Sequence, residues 1–293
     1  MESEEIKLVK PSKLKSYMVF TKFRLSALVI LSALSGYLFV GEFDWWEMTY
    51  LLVGGLLVTA ASNGSNQIWE RDLDKKMNRT SKRPLPLGHM SVNEAYAIVI
   101  LCLISGTALL LMLNLSSALL GLGAFVSYVF MYTPMKRKSS WAVFVGAFPG
   151  AIPPLLGAVA HDEVGFGMIP GVLFFVQFTW QFPHFWAIAW VAYDDYKAGG
   201  FSLLPSKKGK SKESAFQIVA YSLILIPFSL IPWLLGYTGI WSMIVATIFG
   251  AGFFLYAYRL FLTLDDKDAR KLMFASFFYL PVIQFVYVFD RII

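Results

Sequence analysis

The sequence predicts an all-α protein that crosses a membrane many times. Of its 293 residues, 57% are apolar and only 15% are charged, whereas soluble domains carry charge on about 25% of their residues. The apolar residues are concentrated in repeated runs, each close to the roughly 20 residues that a helix needs to cross the hydrocarbon core of a bilayer. A soluble core could not bury this much apolar surface, so the soluble class is excluded.

Nine apolar segments follow one another along the chain, and we expect each to be a transmembrane helix. They cover approximately residues 24–41, 48–69, 94–113, 116–133, 141–160, 167–193, 214–236, 240–261 and 271–289. The expected architecture is a single domain, residues 21–293, with nine helices around a central cavity. Residues 1–20 are expected to form a cytoplasmic tail, because they lack the pattern of a secretory signal and are too acidic for a mitochondrial transit peptide. This favours a bacterial or archaeal cell membrane.

The basic residues predict the orientation of these helices. The tail and the second, fourth, sixth and eighth connections hold 24 of the 25 lysines and arginines, and only Arg291 lies elsewhere. Positive charge is retained on the cytoplasmic side, so the N-terminus is predicted to be cytoplasmic and the C-terminus external. The net charge of +6 then reflects topology, and no nucleic acid is expected as a partner. The single cysteine, Cys102, excludes a disulfide framework and a cysteine-based metal site.

Carboxylates in the second connection are not explained by topology. The stretch NQIWERDLDKKMNRTSKRPLP, residues 66–86, closes the second apolar segment. On a helix, Asn66, Glu70 and Asp74 stand at i, i+4 and i+8 and so share a face. Mg²⁺ binds carboxylate oxygens together with substrate phosphates, and the pattern therefore predicts a metal-bridged diphosphate site on the cytoplasmic side. The alternative is a solvated charged loop.

The sixth connection supplies further carboxylates on the same predicted face. Asp194 and Asp195 end the long aromatic sixth segment, and Gly199, Gly200 and Pro205 follow to stop the helix. Together with the first group, they predict a two-sided acidic clamp for Mg²⁺. The expected metal ligands are Asn66, Glu70, Asp74, Asp194 and Asp195.

Three stretches together carry a resemblance to a known family. They are NQIWERDLDKKMNRTSKRPLP, YTPMKRKSSWAVFVGAFPGAIPPLLGAVA and WQFPHFWAIAWVAYDDYKAGGFSLLP. They closely resemble the protoheme IX farnesyltransferases (haem O synthases), a branch of the intramembrane aromatic prenyltransferases, from about Thr21 to Pro205. The first aspartate-rich motif of the superfamily appears as Asn66, Gln67, Glu70 and Asp74, and the second as Asp195, Tyr196 and Ala198-Gly199-Gly200.

The sequence departs from the wider superfamily at three positions. Gln67 stands where an aspartate is often found, and Gly199 stands where the second aspartate of a DxxxD motif would fall. Both residues are typical of the haem branch and argue against a quinone-type prenyltransferase. Phe23 stands where related sequences often have proline, which is expected to alter only the start of the first helix.

The resemblance implies a reaction and roles for individual residues. A farnesyl group passes from farnesyl diphosphate to a vinyl group of haem B, and with added water this gives haem O and diphosphate. Expected catalytic residues are Asn66, Glu70, Asp74, Asp195, Arg79 and Arg83. Expected substrate-binding residues are His184, Lys76, Lys136, Arg137, Tyr196 and Asp194. Mg²⁺ is the implied cofactor, and haem A synthase and oxidase assembly factors are the candidate partners in the membrane.

His184 is expected to reach the haem. It lies eleven residues before Asp195, so on one continuous helix the two residues would stand within about 20° of one face and about 16 Å apart along the axis. An ionisable group at such depth in a membrane is a candidate functional residue, and imidazole is a ligand of haem iron. The alternative is a histidine that only hydrogen-bonds to a neighbouring helix.

The fifth segment contains GAFPGAIPPLLGAVA, with three prolines and three glycines. Such a helix is expected to kink, and irregular backbone within a membrane is tolerated where it lines a cavity. We therefore expect it to form a wall of the substrate chamber, with close helix packing as the alternative.

Two other functions remain open at this point. A cation-coupled transporter would also use acidic groups, but its sites usually lie near the membrane midplane, and the carboxylates here lie at the membrane edge. Joint stabilisation by Mg²⁺ and farnesyl diphosphate against heating would exclude the transporter. A prenyltransferase acting on a quinone or another aromatic acceptor would neither bind nor convert haem B.

Overall fold

The computed structural model of the chain describes residues 12–292, so the first eleven residues of the predicted tail lie outside it. Within this range the regular elements are helices, and a single antiparallel bridge joins Thr238 to Arg291. The helices are α1 (Lys13–Phe20), α2 (Phe23–Val40), α3 (Trp45–Asp74), α4 (Val92–Leu111), α5 (Leu115–Val126), α6 (Thr133–Met135), α7 (Ala142–Val159), α8 (Met168–Val191), α9 (Tyr193–Ala198), α10 (Lys212–Leu234), α11 (Ile240–Thr263) and α12 (Asp266–Phe289). A π-helical segment, Ser127–Tyr132, joins α5 to α6. The all-α prediction is confirmed.

Each predicted apolar segment corresponds to a helix in the structure. Most boundaries agree within about two residues, but α3 continues to Asp74 and α12 begins at Asp266, each five residues beyond the prediction. The side chain of Asp265 accepts a hydrogen bond from the backbone of Lys267 and so caps α12 one turn before its apolar part. Seven helices in the described range are long and apolar enough to cross a membrane: α2, α4, the α5–α6 unit, α7, α10, α11 and α12. The protein is thus a multi-pass membrane protein.

The described part of the predicted tail is helical and packs on the bundle. Ser12 caps α1, and Phe20 at its end is fully buried. Gln67 of α3 donates to the carbonyl of Phe20 at 2.5 Å, and Tyr17 donates to Glu94 at 2.5 Å. Because these contacts tie α1 to α3 and α4, residues 13–20 belong to the folded bundle.

Contacts between connections sort them to the two ends of the bundle. At one end, the backbone N–H of Ser202 donates to the carbonyl of Lys136 at 3.2 Å, and Lys210 pairs with Asp266 at 2.6 Å. At the other end, Asn114 donates to the carbonyl of Val159 at 2.9 Å. The lysine-rich and arginine-rich connections therefore meet at the first end, which we call the basic end.

Helix α7 contains Pro149, Pro153 and Pro154, and a neighbouring helix compensates for the last of them. Proline has no N–H, so Pro154 leaves the carbonyl of Gly150 without its usual helical partner. Gln177 of α8 donates to that carbonyl at 2.7 Å and accepts from Gln284 of α12 at 2.7 Å. Gln284 in turn accepts from Ser32 of α2 at 3.0 Å. One buried polar chain thus fixes α7 against three helices.

Replacing Gln177 by methionine should lower the free energy of unfolding by about 1–3 kcal/mol, because the carbonyl of Gly150 would be left buried without a donor. Thermal unfolding of the purified protein in detergent measures this. The matched control is Gln217→Met, since the side chain of Gln217 makes no hydrogen bond in the described part of the chain. Equal stability of the two variants would contradict the role given to Gln177.

Candidate functional site

The acidic ladder lies on an uninterrupted helix at the basic end. Because α3 runs to Asp74 without a break, Asn66, Glu70 and Asp74 share one face, and they are 2%, 4% and 0% exposed. The hydroxyl of Thr80 donates to the backbone carbonyl of Asp74 at 3.0 Å and so closes the end of the helix. These side chains do not belong to a solvated loop.

Both carboxylates of the ladder are paired with cations. Glu70 lies 2.5 Å from Lys136, and Asp74 lies 2.7 Å from Arg83. Asn66 donates to the hydroxyl of Thr133 at 3.3 Å. Buried ion pairs are sensitive to the loss of either member, because the remaining charge is left without compensation. Lys136 and Arg83, which the sequence suggested as partners of diphosphate, are therefore coupled to the ladder.

Asp74 has one oxygen that takes part neither in a hydrogen bond nor in its 2.7 Å contact with Arg83. Asp74 Oδ1 is buried and accepts no hydrogen bond within residues 12–292, although buried polar atoms are almost always partnered. An open carboxylate oxygen beside a second carboxylate and an amide oxygen suits a hard cation such as Mg²⁺. The residues of the ladder therefore fit the metal that the sequence implied.

Asp195 contacts the loop after α3 from another helix. Helix α8 ends at Val191, Ala192 leaves the helical conformation (φ −98°, ψ 22°), and Asp195 lies on the short helix α9. Its carboxylate accepts the backbone N–H groups of Asn78 at 3.2 Å and Arg79 at 3.0 Å. These residues follow α3 directly, so the two predicted halves of the clamp meet through this loop.

Tyr196 and Arg79 extend the contact between the two halves. The guanidinium of Arg79 lies 5.4 Å from the ring centre of Tyr196 and donates to its hydroxyl at 3.4 Å. Burial raises the pKa of Tyr196, and the nearby Arg79 opposes that shift. A phenol that stays protonated here is a hydrogen-bond donor for an anion.

The predicted metal ligands are not gathered into one cluster. Within residues 12–292, no group of three or more His, Cys, Asp or Glu side chains is arranged to hold a metal ion. The ladder carboxylates hold Lys136 and Arg83, and Asp195 holds backbone N–H groups. Asp194 is exposed on α9. The ladder and Asp195 are thus joined by cations and by the loop after α3.

Lys22 is a member of the site that the sequence did not identify. It precedes α2 in the left-handed conformation (φ 50°, ψ 47°), which side-chain-bearing residues rarely adopt. Burial, together with the nearby cations Arg83 and Lys136, lowers the pKa of Lys22 to about 7, although Glu70 acts in the opposite direction. Burial likewise lowers the pKa of Lys136, and Glu70 raises it. A residue in the left-handed conformation before a helix cannot be recognised from the sequence when that residue is a lysine.

Aromatic side chains surround the buried ammonium group of Lys136. Its nitrogen lies 5.0 Å from the ring centre of Tyr132 and 5.5 Å from that of Phe201. Tyr132 belongs to the π-helical segment, and the ring of Tyr128 lies 5.2 Å away. Single π-helical turns are frequent at functional sites, and aromatic faces stabilise cations. In contrast, the aromatic residues of α8 pack largely against α7 and α10.

The two motif departures have local structural causes. Gln67 faces α1, where it donates to the carbonyl of Phe20, and so it does not join the ladder. A Cβ atom at Gly199 would lie 2.8 Å from Met77 Sδ and 3.1 Å from the ring of Phe201. An aspartate at position 199 would therefore press against both side chains.

Three predicted residues make no hydrogen bond or ion pair with the ladder, with Asp195 or with their partners in the described part of the chain. His184 Nδ1 lies 2.7 Å from the hydroxyl of Ser276 on α12, and its ring stacks on Trp180 at 4.2 Å. The expected alignment of His184 with Asp195 required one continuous helix, but the helix breaks at Ala192. Lys76 and Arg137 are exposed and make no side-chain hydrogen bond or ion pair in the described part of the chain.

Comparison with known proteins assigns the fold and the relatives of the chain. The profile of the UbiA prenyltransferase family matches residues 29–280. A protoheme IX farnesyltransferase of Cytophaga hutchinsonii is 45% identical over 96% of this chain and 99% of its own length. Among solved structures, digeranylgeranylglyceryl phosphate synthase superposes with a TM-score of 0.79 at 20% identity, covering 95% of this chain and 98% of that one. A UbiA homologue from Archaeoglobus fulgidus bound to GPP and Mg²⁺ has a TM-score of 0.66 at 16% identity, covering 93% and 99%.

Proposed function

The chain belongs to the UbiA prenyltransferase family, and on this premise we propose that it farnesylates haem. The farnesyl group of farnesyl diphosphate is transferred to a vinyl group of haem B, and water adds, giving haem O and diphosphate. The observation that carries the acceptor is the 45% identity to a protoheme IX farnesyltransferase over almost the full length of both chains. The haem-type residues Gln67 and Gly199, each fitted to its surroundings, support the same acceptor.

The cations of the site are suited to accept the leaving group. When the bond between farnesyl C1 and oxygen breaks, its electron pair departs with diphosphate, whose growing charge must be met. Arg83 and Lys136 are already oriented by Asp74 and Glu70, and Arg79 lies beside Tyr196. Diphosphate oxygens compete with the carboxylates for these cations and form charge-assisted hydrogen bonds of the strongest kind.

Mg²⁺ is the proposed cofactor. Asn66, Glu70 and Asp74 would hold it, with the open Oδ1 of Asp74 as a ready ligand, and Asp195 and Asp194 complete the proposed set from α9. When bound, Mg²⁺ neutralises phosphate charge and lowers the barrier to diphosphate departure. The mixture of oxygen donors and nearby cations supports this proposal.

The remaining steps need protection of a cation and one water molecule. The allylic cation left on farnesyl is stabilised by aromatic faces, for which Tyr132 and Tyr128 are the proposed side chains. The terminal carbon of the vinyl group attacks it and forms the new C–C bond. Water then adds to the resulting carbocation next to the porphyrin and loses a proton, which leaves the hydroxyl group of haem O.

All nine long helices are proposed to cross the membrane, with the basic end in the cytoplasm. Helices α3 and α8 have 30 and 24 residues, enough for a bilayer core of about 30 Å at 1.5 Å per residue. Their polar residues lower their hydropathy, but Asn66, Gln177 and His184 are buried among helices and do not face lipid. The concentration of lysine and arginine at the basic end supports the orientation. Docking of haem A synthase or oxidase assembly factors at this end stays a prediction.

Membranes containing the protein should convert haem B and farnesyl diphosphate into a farnesylated haem in the presence of Mg²⁺. Chromatography with mass spectrometry detects the product. Because farnesyl diphosphate is charged and does not cross bilayers, inside-out vesicles should be active and sealed right-side-out vesicles inactive. Absence of product from folded protein would overturn the acceptor assignment, and activity only in right-side-out vesicles would reverse the orientation.

A further inference from the structure

A cavity at the basic end lies beside the diphosphate site and has no part in the chemistry described above. Its volume is about 260 Å³. Apolar walls come from Phe201, Leu203 and Leu204, and the rim carries Lys197 and Lys207. The lining of the cavity thus combines apolar side chains with hydroxyl groups, and it carries two positive charges.

The two lysines at this rim differ from their neighbours in the same connection. Lys208 pairs with Glu213, and Lys210 pairs with Asp266 at 2.6 Å. Lys197 and Lys207 are exposed and make no side-chain ion pair or hydrogen bond within residues 12–292. Of the three lysines in this connection without an ion pair or hydrogen bond in the described chain, Lys197 and Lys207 therefore line the same cavity, whereas Lys212 lies over the ring of Phe261 at 6.0 Å.

The cavity shares two walls with the diphosphate site. Tyr196 and Phe201 line it, and they also contact Arg79 and Lys136 in the diphosphate site. The two rings lie edge to face, 6.0 Å apart. A molecule that is held at the lysines and passes these rings therefore reaches the diphosphate site.

The loop that closes the cavity is built to approach Tyr193. Gly209 has φ +70°, and a Cβ atom there would lie 2.3 Å from the Tyr193 hydroxyl oxygen. Glycine is therefore needed at this position both for its backbone conformation and for the space. Lys210 lies over the ring of Tyr193 at 5.7 Å. These contacts hold the loop that contains Lys207 against Tyr193, which lines the same cavity.

We propose that Lys197 and Lys207 bind the two propionate carboxylates of the haem acceptor at the mouth of this cavity. This inference rests on the proposed function. In haem B the two propionates lie on one edge of the porphyrin and the vinyl groups lie away from that edge. Anchoring the carboxylates at the lysines directs the reactive vinyl group past Tyr196 and Phe201 toward the diphosphate site. The cavity takes the carboxylate arms, and the macrocycle extends beyond it.

The test compares Lys197→Gln/Lys207→Gln with Lys208→Gln, which removes a charge from the same loop outside the cavity. Replacing the two exposed lysines that are proposed to bind the propionates should raise the KM for haem B about fivefold or more. The kcat and the KM for farnesyl diphosphate should stay unchanged. Haem B dimethyl ester, which lacks the carboxylates, should have the same KM with the double variant and the unaltered protein. Lys208→Gln should behave as the unaltered protein with both haems.

Haem B binding, followed by quenching of protein fluorescence, separates this inference from the proposed function. Conversion of haem B by the unaltered protein with equal KM and binding in the double variant and in Lys208→Gln would overturn the propionate site alone. Absence of conversion would overturn the proposed function, and the binding curves would still decide the site. An equal loss of affinity of the double variant for haem B and for its dimethyl ester would also overturn the propionate site, because the effect of the lysines would then not depend on the carboxylates.

Discussion

Asp74→Asn should lower kcat/KM for farnesyl transfer by at least about a hundredfold, the usual cost of removing one preorganised electrostatic group from an active site. Asp74 is fully buried, holds Arg83 with Oδ2 at 2.7 Å, and leaves Oδ1 without a partner in the described chain. Asparagine keeps the shape of the side chain and removes its charge. The variant loses both the anchor of Arg83 and an oxygen that is free to bind a cation.

Asp72→Asn provides the matched control. Asp72 lies two residues away on the same helix, and the substitution is chemically identical. Its carboxylate is exposed and pairs with Lys75 at 3.0 Å and with Arg71 at 3.5 Å. Exposed pairs contribute little, so Asp72→Asn should retain at least half of the activity.

The two variants are compared by initial rates over a range of Mg²⁺ concentrations, with thermal unfolding measured in parallel. Asp74→Asn should also need more Mg²⁺ for half-maximal rate. A thermal midpoint near that of Asp72→Asn would show that its lost activity is not lost folding. Retention of a tenth or more of the normal rate by folded Asp74→Asn would exclude Asp74 as a metal ligand and as the essential anchor of Arg83.

The helices could be located from the sequence because a bilayer fixes the length and the apolar character of each one. The shared face of Asn66, Glu70 and Asp74 was predictable for a similar reason, since it depends only on helical repeat within one element. The order of basic and non-basic connections also gave the two ends of the bundle, as the contact between Lys210 and Asp266 shows.

The contacts between elements could not be predicted. Nothing local in the sequence pairs Glu70 with Lys136, 66 residues later, or places Asp195 on the backbone of Arg79. The expected alignment of His184 with Asp195 assumed one continuous helix, whereas α8 ends at Val191 and α9 begins at Tyr193. The left-handed conformation of Lys22, which lies near enough to Arg83, Lys136 and Glu70 for their charges to affect its pKa, is likewise a local feature that the sequence did not indicate.

Gly157→Ala should prevent normal packing of α2 against α7 and lower the thermal midpoint more than any other small substitution considered. A Cβ atom at Gly157 would lie 1.9 Å from the carbonyl oxygen of Ala33 and 2.7 Å from the backbone nitrogen of Tyr37. The reciprocal contact is as close, since a Cβ at Gly36 would lie 2.0 Å from the carbonyl oxygen of Pro154. Backbone atoms cannot rotate away, so the two helices must separate.

The matched control is Gly252→Ala in α11, where a Cβ atom would meet nothing within 4 Å. Within a helix, alanine is more favourable than glycine by about 1 kcal/mol, so this control should unfold at the same or a higher temperature. Gly157→Ala should instead lose about 3 kcal/mol or more, at the upper end of overpacking costs, and yield less monodisperse protein on size exclusion. Lys22 stands directly before α2, and Gly146 of α7 packs against the ring of Tyr132. Separation of the two helices would therefore displace both side chains from the site. Equal thermal midpoints for the two variants would show that α2 and α7 can move apart without loss of stability. The site would then not depend on their close packing.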